Sequence, residues 1–235
     1  MRKSGIRLAL LAGALLAAGS ALAQDGAGPS ELEEALGRPK RVPQIPPALR
    51  AMVREATRDH LVVRNRQGAD IVIDISDYEP DDFRQFGDGR FLGFSFIGYE
   101  FSGYILIDRE RSGEEAEIGT GVEPVFSRDG RWFAAVQLSG AGWGNLEGFG
   151  IWEVTPEGVR QRFFNMALPA GEDWRVDGWP REDCVALSAA PISVSGSSEQ
   201  ATERLIISVE IGERIALDNV TTPACGVTDA TQGDG

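Results

Sequence analysis

The apolar positions of this chain change period several times, and each change predicts a new element. Behind Arg2, Lys3 and Arg7 runs an unbroken apolar stretch from Leu8 to Ala18, followed by Ala21-Leu22-Ala23 and Gln24. A positive start, a short apolar run and small residues at the third and first places before a cut after Ala23 predict a secretory signal peptide over residues 1–23. That run is about half the ~20 residues a spanning helix needs. No later apolar stretch is longer, so no membrane span is expected. Residues 24–45, rich in Gly, Pro and charge, read as a flexible leader. Within it, Ser30-Glu31-Leu32-Glu33 matches a capping box, and Gly37 can stop a helix of two turns. From Pro46-Pro47 onward, Leu49, Met52, Val53, Ala56 and His60 fall on one stripe of a 3.6-residue period. This predicts an amphipathic helix over residues 46–60, with His60 at its end as a core or helix-terminal residue and not a base.

Beyond residue 60 the period becomes two, and the chain reads as strands and turns. Leu61 to Val63 and Ile71 to Ile75, joined around Arg66-Gln67-Gly68, predict a hairpin, and Asp77 to Asp82 reads as an acidic loop. The next stretch aligns with itself. Asp88-Gly89-Arg90 opens the strand Phe91 to Phe96, and Tyr104 to Asp108 follows; Asp129-Gly130-Arg131 opens Trp132 to Val136, and Ile151 to Val154 follows. In a weaker third copy, Arg181-Glu182-Asp183 opens Cys184 to Leu187, and Leu205 to Val209 follows. Corresponding positions lie roughly 40 to 55 residues apart, the period of a four-stranded propeller blade.

The segment Pro124-Val125-Phe126-Ser127-Arg128-Asp129-Gly130-Arg131-Trp132-Phe133 resembles the WD40-like β-propeller repeat of periplasmic Tol-associated propeller proteins. It has a short strand, a tight turn that uses the conformational freedom of Gly130, and a returning aromatic strand. Arg128 stands where that family usually has proline. The resemblance implies a blade-like architecture and carries no catalytic residue across. Three copies and the 61–75 hairpin, as the outer two strands of a further unit, give an all-β fold. It is expected to be a propeller-like array of three to four antiparallel blade-like sheets, closed or open, with the N-terminal amphipathic helix available to cover an exposed edge. A β-sandwich is the alternative. The β-rich domain would span residues 46–220 and a C-terminal tail residues 221–235.

Composition narrows the chemistry. The chain has 235 residues, 42% hydrophobic and 25% charged, with 23 basic against 36 acidic residues and a net charge of −13. Removing the three basic residues of the signal peptide would make it −16. Such a chain repels nucleic acid and anionic surfaces. A single histidine, His60, rules out multi-histidine metal sites. The acidic run Asp70, Asp74, Asp77, Glu79, Asp81 and Asp82 lacks EF-hand spacing and reads as a solvated surface, so no metal or other cofactor is assigned. Cys184 and Cys225 are the only cysteines. In an oxidising periplasm or medium they are expected to form a disulfide that staples the tail.

The loops between the second and third strands of each unit are long and unequal: Gly98 to Gly103, Ser139 to Gly148, and about Ala190 to Thr202. Function tends to sit in long loops held on a rigid scaffold. Tyr99, Phe101, Trp143 and Asn145 lie in or beside the first two and are the candidate binding residues; Trp132, Trp152, Trp174 and Trp179 read as core. No catalytic residue is assigned. The expectation is a non-enzymatic envelope module, periplasmic or secreted, that binds an envelope protein or cell-wall component through these loops. The alternative is a hydrolase of saccharides or esters using carboxylates on the same face.

Overall fold

Turns of a few residues can join antiparallel strands only, and the strands of this protein are laid out accordingly. The computed structural model describes residues 31–138, 142, 144–192 and 205–212. The first sheet holds β1 (Val53–Ala56), β2 (His60–Arg64) and β3 (Asp70–Asp74). The second holds β4 (Tyr78–Phe86), β5 (Phe91–Gly98), β6 (Ser102–Asp108) and β7 (Glu117–Gly119). The third holds β8 (Val125–Phe126), β9 (Trp132–Gln137), β10 (Gly148–Thr155) and β11 (Gly158–Asn165). The fourth holds β12 (Glu172–Arg181), β13 (Cys184–Ala190) and β14 (Leu205–Glu210). Within each sheet the strands follow chain order, as in the blades of a propeller.

Side-chain alternation decides what each sheet touches. On β5, Leu92, Phe94 and Phe96 join a core with Leu61, Val63, Ile71 and Ile73 of the first sheet. Phe91, on the other face, joins Phe133, Ala135 and Trp152 of the third. On β9, Trp132, Ala134 and Val136 meet Val185, Leu187, Ile207 and Val209 of the fourth sheet. The central strands of the middle sheets are therefore buried on both faces, which is why they read as nearly continuous apolar runs. Three clusters serve three successive interfaces, and among the described residues no cluster joins the first sheet to the fourth. Four sheets with three cores form a row of blades. A sandwich would have two sheets around one core.

The DGR turns look as their sequence suggests. Gly130 has φ +71°, its N–H donates to Ser127 O at 3.0 Å, and Ser127 Oγ donates to Asp129 Oδ1 at 2.7 Å. In the preceding copy, Arg90 reaches across to the fully buried Asp108 through two hydrogen bonds of 2.9 and 2.8 Å.

Two expectations fail. Residues 46–60 do not form an amphipathic helix: a single 3-10 turn, Pro47–Leu49, leads into β1, which pairs with β2. Thr57 turns the chain, its Oγ1 accepting the N–H groups of Asp59 (3.2 Å) and His60 (3.0 Å). Such local side-chain bonding favours a turn over a continuing helix, and β1 supplies the partner that β2 would otherwise lack. The acidic stretch 77–82 is likewise not a loop but largely part of β4. Pro80 and Phe83 are its buried positions, and the carboxylates of Asp81 and Asp82 stay in solvent. A proline is tolerated because β4 lies at the sheet edge.

The short helix α1 (Glu31–Leu36) stops at Gly37, with φ +62°. Leu32 is buried, and Lys40 directs Nζ to the carbonyl oxygens of Ile75 and Ser76. Burial lowers the Lys40 pKa, against the opposing pull of Asp59, Asp74, Asp77 and Glu79.

Candidate functional site

β4 and β12 each begin a sheet, and the two carry nearly the same four residues: Asp81-Asp82-Phe83-Arg84 and Glu172-Asp173-Trp174-Arg175. In both, the register against the next strand slips within the four, between Asp81 and Arg84 and between Glu172 and Arg175. In both, the second residue is left-handed, Asp82 at φ 50° and Asp173 at φ 51°. Aspartate is among the few residues that accept this conformation. The resulting bulge re-aims the strand and sends the aromatic residue inward: Phe83 is 7% exposed and Trp174 9%.

The copies differ at one atom that matters. Phe83 fills its site with no polar group, whereas Trp174 brings an indole N–H that is buried without a hydrogen-bond partner. Trp179, further along the same strand, donates its indole N–H to Val125 O at 2.8 Å. An unpaired buried donor costs on the order of 1–3 kcal/mol, so its position is informative. A Cβ built on Gly171 would lie 3.2 Å from Trp174 Nε1, and Gly171 lines a cleft of about 560 Å³. Its lining also includes Val136, Gln137 and Leu138 of the third sheet, Glu172 and Asp173 at the bulge, and Val122 from the β7–β8 connection.

Antiparallel order puts the connections between sheets at the same end as the loops between second and third strands. The cleft is thus on the face that loop length singles out. Gln137 is wedged there, because a Cβ on Gly121 or Gly144 would sit 2.5 or 2.2 Å from its Oε1. That oxygen accepts the N–H of Leu146 at 3.3 Å. Glu172 and Asp173 are exposed, and among the described residues no lysine or arginine lines the cleft. Exposed carboxylates beside fixed neutral donors suit hydrogen bonding to a ligand; a carboxyl that must donate a proton near neutrality needs burial.

Tyr99, Phe101 and Asn145, the described candidates from the sequence, are not among the lining residues of this cleft. Tyr99 is 44% exposed at the β5–β6 tip. Phe101 folds over Gly98 and meets Phe96 edge-on at 5.7 Å. Asn145 is a latch between sheets: Nδ2 donates to Tyr104 O at 2.9 Å and Oδ1 accepts the Tyr104 N–H at 3.4 Å. Trp143 lies outside the described residues, as does Cys225; Cys184 is fully buried at the start of β13. His60 begins β2, its ring between Thr57 Oγ1 (3.1 Å) and Glu55 Oε1 (3.2 Å), and closes no helix. The acidic side chains of residues 70–82 are dispersed, with Arg54 on Asp70, Arg38 on Glu79 and Arg84 on Asp82. Sequence reading placed Trp174 in the core, which is correct for its ring. The recurring acidic–Asp–aromatic–Arg segment was the signal that could have marked it.

No protein-family model matches the chain, and no curated protein matches it. Among solved structures it is similar to a Bacteroides fragilis chain determined as a candidate 6-phosphogluconolactonase, at 10% identity and a TM-score of 0.36. The match covers 69% of this chain and 52% of that one, so this chain spans about half its length. Similarity at that level adds nothing to the functional argument.

Proposed function

We propose that this protein is a non-enzymatic binding module of the bacterial envelope, periplasmic or secreted, which holds its ligand in the cleft between the third and fourth sheets. The observation that carries this reading is the unpartnered indole N–H of Trp174, buried beside the cleft. Packing alone is served by phenylalanine at the equivalent Phe83. Export is supported by the signal-peptide pattern of residues 1–23. The periplasmic setting agrees with the likeness of residues 124–133 to the WD40-like repeats of Tol-associated proteins. The net negative charge favours an uncharged or basic ligand, such as a cell-wall component or a protein segment, over nucleic acid.

The test compares capture of envelope components by the native protein and by Leu138→Arg. Leu138 is 42% exposed at the cleft, so a long side chain can obstruct it without entering the core. Capture should fall at least about tenfold, the equivalent of about 1.4 kcal/mol. Equal capture by the two proteins would overturn the reading.

A further inference from the structure

We infer that the cleft takes an uncharged N-acetylated amino sugar. This rests on the cleft being the binding site, and it follows from matching each lining group to the chemistry it requires. The indole N–H of Trp174 needs an acceptor. The carboxamide of Gln137 has its oxygen engaged by Leu146 N–H, leaving Nε2 as a second donor without a protein acceptor among the described residues. Two neutral donors on residues that line one cleft call for a carbonyl oxygen and disfavour a cation. Beside them, Val136 and the exposed Leu138 and Val122 offer apolar contact to a methyl group or a C–H face. Glu172 is exposed at the cleft and accepts hydrogen bonds from hydroxyl groups.

An acetamido group supplies the carbonyl and the methyl on one planar unit, and the sugar ring that carries it supplies the hydroxyls. Phosphorylated or carboxylated sugars fit poorly, because among the described residues the lining has no lysine or arginine and has two carboxylates at its edge. The volume of about 560 Å³ falls within the usual range for small-molecule sites and suits one or two sugar rings. A peptide also offers amide carbonyls, but it brings fewer hydroxyl donors for Glu172; it serves as the competing class in the test.

The experiment is calorimetric titration of the exported chain with N,N′-diacetylchitobiose, with cellobiose, which matches it in size but lacks the acetamido groups, and with an N-acetyl-dialanine amide. Diacetylchitobiose should bind at least about tenfold more tightly than cellobiose, the discrimination expected from about one buried hydrogen bond. Trp174→Phe should remove most of that preference. Its fold is checked by its melting curve, and Glu172→Ala, at an exposed position, should weaken both disaccharides by a few-fold. Equal affinity for the two disaccharides overturns the inference, as does tighter binding of the dipeptide amide or a Trp174→Phe protein with undiminished preference. If no sugar binds but envelope capture still depends on Leu138, the sugar assignment falls and the cleft reading stands. If diacetylchitobiose binds Leu138→Arg as well as the native protein, both fall.

Discussion

Asp108 has no solvent contact, and its charge is met by Arg90 through two hydrogen bonds and by the Glu110 N–H at 3.1 Å. Removing one partner of such a pair leaves a buried charge uncompensated, so Asp108→Ala should cost about 3–5 kcal/mol in urea unfolding. That is a large share of the ~5–15 kcal/mol typical of a domain. Arg181→Ala, which loses contacts to the exposed Asp183 and Glu210, should leave the urea midpoint almost unchanged. Glu117 behaves oppositely to a paired carboxylate. Burial, followed by Glu114 and Asp74, raises its pKa. A raised folded value means that its contribution to stability is complete below the unfolded value near 4.5 and is lost as pH rises through the folded one. Glu117→Gln should therefore raise the melting temperature at pH 7 and change it little at pH 4. The positive φ of Gly130 was legible in the Asp-Gly-Arg spelling because turn geometry is local. The unpaired state of Trp174 Nε1 was not, because it depends on how the indole is packed between the third and fourth sheets.

At the scale of elements, each failure has its own physical cause. The 3.6-residue stripe over residues 46–60 was real as a pattern, but Leu49 and Val53 reach the core from a 3-10 turn and a strand. The capping oxygen of Thr57 and the unpaired edge of β2 outweigh the helical period. The reading of β4 as an acidic loop failed because the bulge at Asp82 interrupts the alternation that would have revealed the strand. Asn145 was marked for binding by its loop, and its side chain pairs with both backbone groups of Tyr104. Asn145→Ala should lower stability by about 1–3 kcal/mol, an effect of lost pairing at the junction of two sheets. Denaturation shows whether the cost is there. Envelope capture, measured on the same variant, shows whether binding depends on this latch.

For the whole molecule, three cores in series make each blade depend on its neighbours, and the fourth sheet has only the third to lean on among the described residues. A bridge between Cys184 and Cys225, proposed from the sequence, would close a loop of about 40 residues and contribute about 4 kcal/mol. Reductant should then lower the melting temperature by roughly 10 °C, scaled from about 2–4 °C per kcal/mol for a chain of this size. An unchanged curve for protein shown by thiol titration to be oxidised at the start would exclude a stabilising bridge. Strand content, turn positions and blade period could all be read along the chain, since each depends on neighbours within a few residues or on spacing. The row of four sheets and the cleft that Trp174 shares with Gln137 and Leu138 could not. These are set by contacts between residues tens of positions apart, where pairing and burial override local preference.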